Sequence, residues 1–139
     1  DTVGFVYVCG GSFDISASDD GIQATTVAQI DGGSFAITAS EGIEGTFVQI
    51  NGGTIEISAS DDGINAAAKS AALDVVIEFN GGDTTIVMGS GDTDAVDANG
   101  SIYVNDGTIE LRDRNGENKV AVPAAEAADA LAERFAALS

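Results

Sequence analysis

Large apolar residues alternate with small or polar ones through Phe13-Asp14-Ile15-Ser16-Ala17, Phe35-Ala36-Ile37-Thr38-Ala39 and Ile55-Glu56-Ile57-Ser58-Ala59. A period of two is that of a strand with one buried face, so Phe13, Ile15 and Ala17 point one way while Ser12, Asp14 and Ser16 point the other. Each run is entered through an aliphatic residue, a spacer and a Gly pair: Val8-Cys9-Gly10-Gly11, Ile30-Asp31-Gly32-Gly33 and Ile50-Asn51-Gly52-Gly53. Two degenerate copies follow, Phe79-Asn80-Gly81-Gly82 leading into Thr85-Ile86-Val87-Met88 and Val104-Asn105-Asp106-Gly107 leading into Thr108-Ile109-Glu110-Leu111. A repeat of about 21 residues made of short strands and glycine turns predicts a solenoid, in which each coil buries its apolar face against the next.

Further apolar positions recur in register: Ala28, Val48, Ile77 and Ile102; Val8, Ile30, Ile50, Phe79 and Val104; Ile22, Ile43, Ile64 and Val96. Three short inward-facing runs per coil predict an all-β, right-handed parallel β-helix over residues 1–122, with neighbouring strands about 4.8 Å apart. The Gly pairs mark sharp turns where φ > 0 is expected. Asp31, Asn51, Asn80 and Asn105 before them are expected to form a turn ladder bonded to the backbone. Residues 66–74 break the period and read as an outward loop or a short helical turn. Over residues 123–139, Pro123 suits a first helical turn, and Leu131, Phe135 and Leu138 fall at i, i+4 and i+7. This C-terminal amphipathic α-helix would cap the open end of the β-helix or dock on another subunit.

A hydrophobic content of 44% in 139 residues excludes a disordered chain despite a formal charge of −18. Five Lys plus Arg against 23 Asp plus Glu repel nucleic acid and anionic membranes and favour cations. No apolar run is long enough for a membrane span and no signal-peptide pattern is present, so any anchor is expected outside this sequence. Cys9 is the single cysteine and there is no histidine, which excludes an internal disulfide, the usual zinc sites and histidine acid/base chemistry.

After each strand an acidic residue recurs in one place: Asp20 in Asp19-Asp20-Gly21-Ile22, Glu41 in Glu41-Gly42-Ile43, Asp62 in Asp61-Asp62-Gly63-Ile64, and Asp94 in Asp92-Thr93-Asp94-Ala95-Val96-Asp97. Stacked at strand spacing, neighbouring carboxylates repel by roughly 1 kcal/mol in the dielectric of water and several times more in a lower one. No basic residue lies within these motifs, so protein cations are expected to leave the column uncompensated. A hard divalent cation such as calcium, which takes six to eight oxygen ligands, would relieve it. The competing reading is that Asp-Gly simply makes turns on a solvated face.

Glu41-Gly42-Ile43-Glu44-Gly45, Asp61-Asp62-Gly63-Ile64-Asn65-Ala66 and Gly91-Asp92-Thr93-Asp94-Ala95-Val96-Asp97-Ala98-Asn99-Gly100, spaced by Gly-Gly-Thr-Ile strands, resemble the bacterial carbohydrate-binding-domain proteins with a polysaccharide-lyase-like β-helix. The resemblance covers most of residues 10–111. It implies calcium on Asp19, Asp20, Asp61, Asp62, Asp92, Asp94 and Asp97, with Glu41 standing where a paired Asp is expected. It also implies export to the cell surface and non-catalytic binding of cellulose or pectin-like acidic polysaccharide.

A lyase would need an Arg or Lys base beside the metal. Of Lys69, Arg112, Arg114, Lys119 and Arg134, the first lies in the irregular loop and the rest near the C-terminus, so catalysis is not expected. Tyr7 and Tyr103 fall in equivalent outward positions on distant coils, too far apart for an aromatic sugar platform. The expected function is a calcium-binding, extracellular polysaccharide binder. The alternative is a calcium-linked subunit that self-associates through coil ends or the C-terminal helix into a surface layer or fibre.

Overall fold

The computed structural model describes residues 3–89, 94–112 and 119–123. In chain order its strands are β1 (Phe5–Val8), β2 (Ser12–Ser16), β3 (Asp20–Gln23), β4 (Val27–Ile30), β5 (Ser34–Ala39), β6 (Glu41–Gly45), β7 (Phe47–Ile50), β8 (Thr54–Ala59), β9 (Ile64–Ala66), β10 (Val76–Met88), β11 (Val96–Ala98), β12 (Ser101–Arg112) and β13 (Lys119–Pro123). Successive coils lay β1, β4, β7, β10 and β12 side by side on one face and β2, β5, β8, β10 and β12 on another, all in parallel. A third face stacks β3, β6, β9 and β11, also in parallel. The chain is thus a parallel β-solenoid of about five turns. In its later coils the first two faces fuse, because β10 and β12 continue through the glycine corner, with register slips at Phe79/Asn80 and Asn80/Asp83.

The pairing reproduces the ladders read from the sequence. Ala28 lies over Val48 and Ile77 over Ile102; Ile30, Ile50, Phe79 and Val104 follow one another; Ile22, Ile43, Ile64 and Val96 line the third face. Ile15, Ile37, Ile57, Ile86 and Leu111 form another column, whereas buried Thr84 replaces the aliphatic residue above Ile55. At the start of that neighbouring column the rings of Phe13 and Phe35 stack, centroids 4.8 Å apart. Each fully buried isoleucine contributes roughly 1.5–3 kcal/mol, so these columns are the main source of stability.

The second glycine of each pair has positive φ, for example 109° at Gly33. Gly42, in the acid-Gly-Ile phrase, is glycine for a different reason. Its φ is not in the left-handed region, but a Cβ there would lie 2.4 Å from the Gly63 carbonyl oxygen and 2.5 Å from Ile57 Cγ2. Close approach of coil to coil, rather than a left-handed turn, dictates glycine at this position.

Three expectations are corrected or refined. The residues before the Gly pairs bond side chain to side chain along the axis: Asn51 Nδ2 donates to Asp31 Oδ1 (2.7 Å), Asn80 Nδ2 to Asn51 Oδ1 (2.8 Å) and Asn105 Nδ2 to Asn80 Oδ1 (2.8 Å). The amide, which donates at one end and accepts at the other, is the group that can propagate such a ladder. The irregular segment after β9 is pinned to the wall at Lys69 and Ser70, while residues 71–74 stay exposed as the outward loop expected. The amides of Lys69 and Ser70 both donate to the buried hydroxyl of Thr46 (3.1 and 3.0 Å), which itself donates to the Thr25 carbonyl (2.8 Å). Pro123, expected in a first helical turn, is the last residue of β13, antiparallel to β12 and paired with Thr108. The remainder of the C-terminal helix expected over 123–139 lies outside the described residues.

Candidate metal centre

The acidic turns are fixed by the parallel ladder itself. The Ser40 amide donates to the Asp19 carbonyl (2.9 Å), the Asp61 amide to Ser40 (2.9 Å), the Gly42 amide to Asp62 (3.1 Å) and the Gly63 amide to Asp94 (3.0 Å). Asp20 therefore pairs with Glu41, and three residues further on Gln23 pairs with Glu44, Glu44 with Asn65 and Asn65 with Asp97. With Ile22, Ile43, Ile64 and Val96 turned into the core between them, these two columns share the outer surface.

The acids gather into two groups. Asp20, Glu41 and Glu44 form one and Asp62, Asp94 and Asp97 the other, with carboxylate oxygens within 4.8 Å of one another in each. The first group already holds a cation: Lys69 Nζ lies 2.8 Å from Glu44 Oε1. Gln23 Nε2 donates to Glu44 Oε2 (2.9 Å) and Asn65 Nδ2 to Glu41 Oε2 (3.2 Å). In the second group the only protein donor among the described residues is the Asp94 amide, 3.1 Å from Asp62 Oδ1.

Proton affinities follow these surroundings. Burial, a hydrogen bond to Glu44 and the charges of Glu44, Glu41 and Asp19 push the Asp20 carboxyl up to about 7. Burial raises Glu44 as well, but hydrogen bonds from Lys69, Asp20 and Gln23 outweigh it and hold Glu44 below its ordinary value. Burial raises Glu41, opposed by the Asn65 hydrogen bond and reinforced by the charges of Glu44 and Asp61. Asp62 is pushed up to about 6 by burial, against the Asp94 amide and with the charges of Asp61, Asp97 and Asp94. Burial, then Asp94 and Asp61, raises Asp97.

Of the residues nominated from the sequence, Asp20 and Glu41 come together in one group and Asp62, Asp94 and Asp97 in the other. Asp19 and Asp61 are exposed and belong to neither, acting on their neighbours through charge. Asp92 lies outside the described residues. Glu44 was missed, although it stands at the same offset from Glu41 as Asp97 does from Asp94; it is the one buried acid among the described residues. The expectation that no protein cation reaches the column is overturned by Lys69, because the loop that carries it is pinned to Thr46.

The second group fits a hard cation. Its side chains offer only carboxylate oxygens, and next to Asp97 in register the buried Oδ1 of Asn65 has no hydrogen-bond donor, a carbonyl oxygen of the kind calcium accepts. Beside the acidic turns, a shallow trough of about 340 Å³ runs across the coils on the outer surface. Ser18, Thr38, Ser40, Ser58 and Ser60 line it with hydroxyl groups. An adjoining trough of about 260 Å³ is bordered by Glu56 and by Arg112, which is ion-paired to Glu110.

The outer surface of the coiled parallel wall thus carries an acidic edge beside a trough lined by hydroxyl and apolar groups. The chain belongs to the carbohydrate-binding domain-containing protein family, whose model matches residues 1–93 and again 39–134. Membership supports polysaccharide binding and is consistent with a non-catalytic protein. Two curated proteins share short segments with it. A proline–tRNA ligase of Bifidobacterium longum (strain NCC 2705) is 95% identical over 40 residues, covering 29% of this chain and 7% of that protein. A proline–tRNA ligase of Bifidobacterium adolescentis is 71% identical over 35 residues, or 25% and 6%. The chain thus spans under a tenth of the length of these relatives. No solved structure gives a significant match.

Proposed function

We propose that the protein is a calcium-stabilised, non-catalytic binder of extracellular polysaccharide at the cell surface, built on a right-handed parallel β-helix. The observation that carries the calcium reading is the Asp62, Asp94 and Asp97 group: three carboxylates gathered within 4.8 Å, with no side-chain cation among the described residues. Calcium would neutralise these acids and tie the third coil to the fourth, with the Asn65 oxygen available as a neutral ligand. Polysaccharide would lie in the hydroxylated trough beside them, where serine and threonine hydroxyls repeated at the coil spacing can exchange hydrogen bonds with sugar hydroxyls. An acidic glycan such as a pectin-like chain could in addition be bridged through the metal.

Tyr7 and Tyr103 support no stacking platform. They occupy the same column but on the first and fifth coils, and the Tyr7 hydroxyl is bonded to Asp31. Lys69 is held by Glu44, which supports a non-catalytic reading of the cation nearest the acids. Pull-down on insoluble cellulose and on calcium-free pectin, with and without chelator, tests the proposal. Retention that falls on chelation is expected; equal recovery in the unbound fraction in every condition refutes it. Sedimentation that increases with calcium in the absence of sugar would favour the self-assembling subunit instead.

A further inference from the structure

The two acid groups are alike in make-up and unlike in surroundings, and the difference traces to one inserted segment. The third coil is lengthened after Ala66, and the added segment is anchored to the wall at Lys69 and Ser70, with residues 71–74 exposed beyond the anchor. Thr46 is that anchor: its side chain is fully buried, bonded to the Thr25 carbonyl, and receives two successive amides of the insertion. Ser70, also buried, accepts the Ala72 amide and tightens the same turn. Hydrogen bonds to the buried hydroxyl of Thr46 therefore hold the backbone of Lys69 at the acidic edge.

The ammonium sits 2.8 Å from Glu44 Oε1, paired with one carboxylate of the Asp20, Glu41 and Glu44 group, whose acid oxygens all lie within 4.8 Å of one another. Its charge is felt by all three: each raises the proton affinity of Lys69, led by the hydrogen bond to Glu44. Both oxygens of Glu44 and one of Glu41 are occupied by protein donors. The Asp62 group, two coils further on, has no such cation among the described residues and a single amide donor.

Resting on the calcium reading above, we infer that Lys69 is a tethered counter-ion: it fills the Asp20, Glu41 and Glu44 group in place of a divalent ion, so that the chain takes calcium at Asp62, Asp94 and Asp97 alone. An ammonium carries one charge and three donors and is already paired with Glu44, whereas among the described residues the second group has no side-chain cation. The insertion would thus set how many ions the solenoid carries and where.

Calorimetric titration of chelator-stripped full chain with calcium chloride counts the ions, and thermal melts in chelator read the counter-ion separately. The wild type is expected to take one ion, lost in Asp62→Asn. Lys69→Met is expected to take two, to melt below wild type in chelator, and to recover that deficit when calcium is added. Glu44→Gln added to Lys69→Met should abolish the second ion and much of the deficit. Lys69→Gln, which preserves length and a donor, serves with the same expected count should the methionine variant fail to fold. Two ions on the wild type, or a single ion on both Lys69 variants, overturn the inference and leave the calcium reading standing. No ion on any of them overturns both.

Discussion

Asp62→Asn should change stability in opposite directions with and without calcium. Each pair among Asp62, Asp94 and Asp97 lies within 4.8 Å, where two unit charges repel by at least about 0.9 kcal/mol even in the dielectric of water. The substitution removes two of the three pairwise repulsions, about 1.7 kcal/mol. It keeps an oxygen to accept the Asp94 amide, so the hydrogen bond at 3.1 Å is retained. At about 2.1 cal/mol/K per residue, a chain of 139 residues gains roughly 6 °C in Tm from that relief. In calcium the same change removes a charged ligand, and every tenfold loss of affinity lowers stability by about 1.4 kcal/mol at saturating ion. Melts should be run in dilute buffer, where screening is weak, at a pH above the value of about 6 to which Asp62 is raised. The expected result is a higher Tm than wild type in chelator and a lower one in calcium. A lower Tm in both conditions would refute the reasoning, because it would mean that the three acids do not strain the metal-free fold.

Acidification of the metal-free protein should stabilise it. Asp20 and Asp62 take up protons at about 7 and about 6 in the folded chain, above their ordinary 3.8, so folding binds protons in this window and stability rises as pH falls from about 8 towards 5. Saturating calcium should flatten that rise at Asp62, and a Tm that declines over the window in chelator would contradict it. Asp31 and Glu44, held below their ordinary values, oppose the trend only at lower pH, where their protonation destabilises the fold. Gly42→Ala should cost about 3 kcal/mol in urea denaturation through its clash with the Gly63 carbonyl, whereas Gly10→Ala, with open space around it, should stay within about 0.5 kcal/mol. Equal urea midpoints for the two would exclude coil-to-coil crowding as the reason for the acid-Gly-Ile phrase. Asn51→Ala breaks bonds to Asp31, Gln49 and Asn80 and should cost roughly 1–3 kcal/mol, a loss read in the same assay and absent if solvent replaces the ladder.

Much of the fold was legible because a solenoid writes its contacts at a fixed spacing. Ile22, Ile43 and Ile64 touch one another because they recur in the repeat, so period alone placed them in one column. The Gly pairs were likewise readable, since the second glycine adopts the positive φ that turn chemistry requires. The insertion and the end of the chain were read less well. Ala66 still pairs within β9, but residues 68–74 belong to no strand, and their course is set by two backbone amides meeting a hydroxyl on the preceding coil. Pro123 fits a first helical turn by local preference, yet here it lies in an antiparallel pairing with β12 that no local preference encodes.

The acidic edge divides in the same way. That Asp20, Glu41, Asp62 and Asp94 occupy equivalent positions follows from the amino-acid order, because parallel stacking converts sequence period into spatial proximity. Their division into two unequal groups does not. It depends on Glu44 being turned outward and buried, and on Lys69, 25 residues later in the chain, being carried back to within 2.8 Å of it. Periodicity fixes what repeats; only the folded chain decides where a residue outside the repeat comes to rest, because hydrogen bonds and charge, rather than spacing, hold it there.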